Sequence, residues 1–407
     1  MHQGTKRILA AALFALALPA IAAASSARMS GLAIPGDYVK GEQTGMFTYL
    51  SEVNSAGNLA YVEAASTYIG FRDHAVGAVL PGLFDGKYGV WSFHLRQTAP
   101  SFGGSWLGQP IQPGYSGHEL NFTGEAFDVI WGHKMGSGNL ALRLNRSFES
   151  YDDGATTEEG HGNRGRNVFG FGAGYGWDMN ANLQVELAGQ MQKRDFDSGD
   201  VEKSDGGNDM LLAARAFHKA SGNLVLIPAL KYFRVDQSYL DTEGDAQTEE
   251  WSGLQAGIAG NWTVGSGDLL VFGAQFVRNN VDYGNDEFET ERFMPNVFLA
   301  LETHVNPWLS FRAGAQNAFL HTWDNKFSNV ERHWKDHYFG FSMGTSVKLG
   351  SLMLDATLDP AFLQNPFAQL MGGSSAFFAG GSFGGPERPA APGYYVAFPQ
   401  VSATYTW

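Results

Sequence analysis

The 407 residues contain no cysteine. That excludes disulfides, thiolate metal sites and a cysteine-linked lipid anchor. Long apolar runs are missing as well. After residue 24 no stretch approaches about 18 consecutive apolar residues, so helical membrane spans are excluded. Basic residues are scarce. Setting aside Lys6 and Arg7, 25 basic residues face 41 acidic ones. Phosphate contacts need a basic face, so a nucleic-acid partner is not expected. There is no HExxH or other paired metal spacing among the eleven histidines, and no cofactor motif. What is abundant is glycine, at 52 residues, and aromatic residues, at 14%, in a chain of slightly polar mean hydropathy. Strands that show only every second residue to lipid give that combination.

Residues 1–24 read as a signal peptide. Lys6 and Arg7 precede an apolar run from Ile8, and Ala22-Ala23-Ala24 stands before Ser25. Residues 25–85 do not alternate cleanly. Short apolar pieces such as Met46 to Leu50 and Leu59 to Val62 are broken by Gly, Asn and Pro. This stretch is expected to form a compact hatch or plug-like segment, the alternative being one or two further strands in a sheet.

From residue 86 to 407 a two-residue rhythm takes over. Trp91, Phe93 and Leu95 oppose Ser92, His94 and Arg96, and Leu140, Leu142 and Leu144 oppose Ala141, Arg143 and Asn145. Period two with one apolar and one polar face marks a strand between two solvents. One opening strand, six hairpins closed by tight turns and a final strand predict about fourteen. Tight turns alternate with long loops along the chain, the sorting expected of a transmembrane antiparallel up-and-down β-barrel. The fold class is therefore all-β, a barrel of about fourteen strands with an N-terminal plug-like segment. Four presumed outer loops (150–166, 195–209, 236–250 and 282–291) hold 21 of the 41 acidic residues. Such carboxylates suit either plain solvation or divalent cations that bridge lipopolysaccharide.

The alternation assigns polar residues to the interior: His94, Arg96, Arg143, Glu186, Gln190, Lys231, Gln275, Arg312, Gln316, Lys348 and Asp355. Both charge signs occur, which suits an aqueous path or a plug held by paired hydrogen bonds. Two loops are apolar instead. Residues 101–115 carry Phe102, Trp106 and Leu107, and residues 360–393 carry Phe362, Phe367, Leu370, Phe377 and Phe378. Exposed apolar loops of this size mark a binding surface, here an apolar capture site at the outer mouth. Gly340-Phe-Ser-Met-Gly344 matches the spacing of a hydrolase nucleophile elbow, but it sits in an alternating strand rather than at a strand-to-helix turn. No enzyme is expected.

The chain ends on Val401, Ala403, Tyr405 and Trp407 at alternate positions. This resembles the terminal assembly signal of bacterial outer-membrane barrels, and implies the barrel assembly machinery, outer-membrane lipid and lipopolysaccharide as partners. Fourteen strands, an N-terminal segment before them and apolar outer loops resemble the long-chain fatty-acid transporter (FadL-like) family of hatch-containing barrels. The family's Asn-Pro-Ala signature is replaced by Asn54-Ser-Ala-Gly-Asn58. The resemblance implies a location in the bacterial outer membrane and passive uptake of hydrophobic small molecules. Two other readings stay open: a plugged barrel that serves as scaffold or shuttle for a secreted or surface protein, and a general diffusion porin.

Overall fold

The computed structural model describes residues 25–67, 70–96, 126–152, 163–197, 203–205, 207–236, 238–241, 243–265, 267–358 and 400–407. The segment read as a signal peptide and both apolar loops lie outside these residues. The described chain is one antiparallel sheet closed on itself. Its strands are β1 (Leu59–Thr67), β2 (Gly70–Leu80), β3 (Val90–Arg96), β4 (Ala126–Met135), β5 (Gly138–Asp152), β6 (Asn163–Asn180) and β7 (Leu183–Asp197). They continue with β8 (Lys203–Ser204), β9 (Asn208–Lys219), β10 (Leu224–Asp236), β11 (Tyr239–Leu240), β12 (Ala246–Gln247) and β13 (Glu250–Val264). Last come β14 (Asp268–Gly284), β15 (Glu287–Asn306), β16 (Leu309–Phe327), β17 (Val330–Leu349), β18 (Leu352–Leu358) and β19 (Gln400–Thr406).

The wall has sixteen strands, because β8, β11 and β12 form only a small added ladder at one rim. The alternation from residue 86 predicts about fourteen, and the difference is β1 and β2. They lie in the stretch read as plug-like, and β1 closes the barrel against β19 from Leu59↔Thr406 to Ala65↔Gln400. Their rhythm is weak in the sequence because small residues interrupt it: Ala60 and Ala64 flank Val62 on the outer face of β1, Ala78 follows Val76 on that of β2, and Gly77 between them faces inward. Leu59, Tyr61 and Val79 are buried on the inner face.

Two outer connections also differ from expectation. The acidic stretch 282–291 is mostly strand, and β14 meets β15 through Asn285 and Asp286 alone. Likewise β16 meets β17 through Ser328 and Asn329. All four residues have positive φ, between 50° and 63°, as a two-residue hairpin whose twist matches its strands requires. These strands run 17 to 20 residues. About 9–11 suffice to cross a bilayer, so they stand well clear of it.

The outside is apolar. Among the described residues forty large hydrophobic side chains are exposed, including Leu144, Phe171, Leu187, Leu230, Ile258, Leu299, Phe341 and Val401. Water-soluble monomers rarely show apolar patches beyond a few hundred Å², so hydrocarbon is the solvent this surface matches. Six of the ten tryptophans (Trp91, Trp131, Trp177, Trp262, Trp308 and Trp407) mark one end of the barrel, the end where both strand termini lie. An aromatic girdle of this kind sits at a membrane interface. We call it the near end, and the rim with the extended hairpins the far end.

Residues 25–58 cross the inner face of this wall. Helix α1 (Ser26–Leu32) starts at Ser25, whose hydroxyl accepts from the Arg28 amide at 3.1 Å. Short 3-10 turns follow at Gly36–Tyr38, Gln43–Phe47 and Leu50–Ser55. Glycines on the inner face make room for the segment. A Cβ on Gly314 would collide with the Leu32 carbonyl oxygen, and Leu50 occupies the space over Gly172 and Gly174. Deleting residues 25–58 therefore leaves the wall able to close, whereas deleting 25–80 removes the partner of β19. Heat-modifiable gel migration is expected to survive the first deletion and to disappear with the second.

Candidate functional site in the barrel interior

The inner wall has two storeys. The near storey is where the N-terminal segment packs. Met29, Leu32 and Ile34 cluster with Ala259 and Phe298 of the wall, and Met46, Leu50 and Val53 cluster with Leu59 and Ile130. Beside these apolar clusters the segment's charges meet charges of the wall. Arg28 forks onto Glu302 through Nε at 2.8 Å and Nη2 at 2.9 Å, while its Nη1 reaches Glu42 at 3.4 Å. Glu302 also holds Arg312, and Arg312 lies 2.8 Å from Asp355. Asp355 accepts from Ser25 at 3.0 Å. In a second cluster Asp37 accepts from Lys231 at 2.9 Å, from Tyr49 at 3.1 Å and from Gln255 at 3.3 Å. Gln255 in turn donates to Gln275 at 2.9 Å. A third joins Arg215 to Glu186 at 2.7 Å and to Glu52, with the guanidinium 3.8 Å over the Tyr49 ring. In the fourth, Asp128 binds Arg143 and Arg96, and Arg143 and Gln190 both donate to the Phe47 carbonyl.

Most of the residues that the alternation sends inward fall into this network. Arg143, Glu186, Gln190, Lys231, Gln275, Arg312, Gln316 and Asp355 are all buried. His94, 1% exposed, lies against Tyr61 at 2.8 Å and edge-on to Phe47. Arg96 is partly buried over the Phe47 ring. Gln316 accepts from Asn296 at 3.2 Å. Lys348 is half-buried near the end of β17, apart from the four clusters. Sequence reasoning missed Arg28, Asp37, Glu42 and Glu52, because the segment that carries them has no periodicity. It also passed over Asp128, Arg215 and Glu302, which share the inward parity and were legible by it.

The ionic states of the segment follow from its surroundings. Burial alone would raise the Asp37 carboxyl, but Lys231, Arg215 and the Tyr49 hydroxyl together outweigh it and hold the group below the usual carboxylate range. Burial pushes Glu42 up to about 7 against the pull of Arg28. Glu52 is driven the same way by burial, against Arg215.

The far storey carries an apolar face beside buried polar residues such as Gln192, Asp209 and Asn279. Leu211, Phe233, Val235, Trp251, Val277, Val281 and Phe293 form one buried cluster on β9, β10 and β13 to β15, with Tyr283 and Tyr338 packed on it. Phe233 is the next inward position after Lys231, and Val277 the next after Gln275. On β10 and β14 a polar residue thus gives way to an apolar one between successive inward positions. No residue of this cluster was singled out from the sequence. Inward apolar residues carry no polar mark of their own, and only their parity with Lys231 and Gln275 distinguishes Phe233 and Val277 from lipid-facing ones in the sequence. The capture residues expected at Phe102, Trp106, Leu107, Phe362, Phe367, Leu370, Phe377 and Phe378 lie outside the described residues. Of the terminal set, Val401, Tyr405 and Trp407 are exposed and Ala403 is half-buried. Gly340 to Gly344 runs through β17 as unbroken strand, with Phe341 exposed, so the turn that a nucleophile elbow needs is not formed there.

No family model matches this chain, and none of the curated proteins does. Solved structures do resemble it. A Pseudomonas aeruginosa FadL homologue shares 10% identity over 94% of this chain and 98% of its own, with a TM-score of 0.42. The Ralstonia pickettii toluene transporter TbuX shares 9% over 94% and 96%, with a TM-score of 0.38. The copper transporter OprC shares 12% over 74% of this chain, with a TM-score of 0.44, and the chain spans 44% of its length.

Two outcomes are expected from the network. Lys231→Met leaves Asp37 a buried charge without its cation, a change that costs about 3–5 kcal/mol. Hydrogen exchange across residues 36–49 should accelerate in that variant while the wall stays protected. Glu42, with its pKa raised in the folded protein, contributes stability that is full below the ordinary carboxylate range and lost as pH rises through about 7. The same exchange should therefore quicken between pH 5 and pH 8. Glu42→Gln should flatten that dependence, and adding Glu52→Gln should remove what is left.

Proposed function

We propose that this chain is a bacterial outer-membrane transporter for passive uptake of small hydrophobic molecules, with residues 25–58 acting as its hatch. The observation that carries the reading is the apolar face of the far storey, directly beyond a charge-locked segment. An apolar solute that leaves water is stabilised by about 25 cal/mol per Å² of apolar surface it buries. The Trp251, Phe233 and Phe293 face supplies such a surface at the rim farthest from the termini. Beneath it the lumen is filled by the charged segment and the apolar side chains packed on it, so the solute rests at the boundary until the segment yields. The ion pairs of Arg28, Asp37 and Arg215 then set how readily it does so. Large steady conductance is not a property of a lumen held in this way, which favours a gated transporter over a general diffusion porin.

On this reading the near end faces the periplasm, and the barrel assembly machinery engages the terminal strand. Deleting Trp407 is expected to lower the amount of heat-modifiable protein in the membrane. Uptake is tested in cells lacking the protein and complemented with it, using radiolabelled long-chain fatty acid and toluene as separate probes. Complementation should raise uptake of at least one probe. Trp251→Asp with Phe233→Asp should return it to the background rate while the barrel remains inserted. Equal uptake with and without the protein would discard the proposal.

A further inference from the structure

The outward face of the extended hairpins carries a feature that an acidic chain of net charge −14 gives no reason to expect. Arg278 on β14 stands directly opposite Arg292 on β15. Arg292 stands opposite Thr322 on β16, and Thr322 opposite Lys335 on β17. Residues paired across strands share a face. Val277 and Phe293, one position away, belong to the inner cluster, so this row points outward. Adjacent strands are about 4.8 Å apart, which places three cations along roughly 15 Å of one line.

The line lies at the upper edge of the lipid-facing surface. Leu254, opposite Arg278, is 38% exposed. Met294, Phe319 and Leu320, the outward apolar residues next toward the near end, are 46%, 63% and 36% exposed. Cations directly above such a band sit at headgroup height. Like charges placed opposite each other across a sheet are destabilising unless something neutralises them. Asp324, one pair farther out, answers Arg292 and also holds His333. Arg278 has only Asn280, at 3.1 Å, and neither Arg278 nor Lys335 has a carboxylate partner among the described residues. Glu331 and Asp282 lie farther toward the tips, and Asp336 has the parity of the inner face.

We propose that Arg278, Arg292 and Lys335 form a binding site for the phosphates of a lipid headgroup in the outer leaflet. Guanidinium forks match phosphate oxygens two at a time, and Lys335 adds a point charge farther along the row. The lipid's acyl chains then lie along Leu254, Met294, Phe319 and Leu320, which gives one ligand both an anionic and an apolar contact. The site rests on placement of the barrel in a membrane but on no particular transport activity.

The test is native mass spectrometry of the full-length protein purified in neutral detergent. Diphosphoryl lipid A is the probe, the same lipid with its phosphates removed is the control, and inorganic phosphate is the competitor. The wild type should retain the diphosphoryl lipid better than the control lipid, by on the order of tenfold to a hundredfold. Arg278→Gln/Arg292→Gln/Lys335→Gln should lose that preference, and Lys134→Gln at the near end should keep it. Arg278→Gln alone should weaken it, so a poorly folding triple variant still leaves a reading. Heat-modifiable migration from membranes separately reports insertion, so a failure of location is distinguished from a failure of this site. Equal retention of both lipids by the wild type, an unchanged preference in the triple variant or in Arg278→Gln, or displacement by inorganic phosphate as effective as by lipid would each overturn the proposal.

Discussion

Everything in this molecule depends on the seam between β1 and β19. A sheet whose outer face meets hydrocarbon has no water to satisfy an unpaired amide or carbonyl, and each orphaned group costs several kcal/mol. An open edge is therefore excluded, and the first and last strands must find one another. They do so from Leu59↔Thr406 to Ala65↔Gln400 although nearly the whole barrel separates them in sequence. Their pairing forces the even strand count, brings both strand ends to one rim and encloses an interior. The charged clusters exist only because that interior exists.

Inside, the problem is reversed. Buried guanidinium and carboxylate groups are stabilised only where each finds its counterpart, and a pair that loses one member is worse than no pair. The wall alone does not balance its charges. Lys231 has its acid, Asp37, on the N-terminal segment, and Glu302 divides its two oxygens between Arg28 of the segment and Arg312 of the wall. The segment is consequently a structural complement of the wall. Its release is an electrostatic event, which ties the proposed gating to buried carboxylates such as Glu42. Beyond it lies the apolar cluster around Trp251 and Phe293, the feature on which the transport reading stands.

The period of two was enough to read an all-β, antiparallel, closed barrel, because lipid on one face and polar surroundings on the other imprint opposite demands on neighbouring residues. It also picked out the inward parity of Arg143, Lys231 and Arg312, since a charged residue between two apolar ones has only one place to go. It failed at β1 and β2, where alanine and glycine carry too little contrast to show a rhythm. It failed too at the outer hairpins, where acidic residues that suggest a loop instead extend two strands past the membrane.

Local sequence thus determined that alternate residues face different solvents. It had no access to which residues meet across the lumen, because Arg28 and Glu302 are joined by closure and by nothing nearer in the chain. Nor did it single out Phe233, which shares the inward parity of Lys231 while Leu230 has the opposite one, because an apolar residue on the inner face carries no polar mark of its own. That Phe233, Trp251 and Phe293 meet in one cluster is decided only by the closed tertiary structure. They lie on different strands far apart in the chain, and the register that seals the wall brings them together.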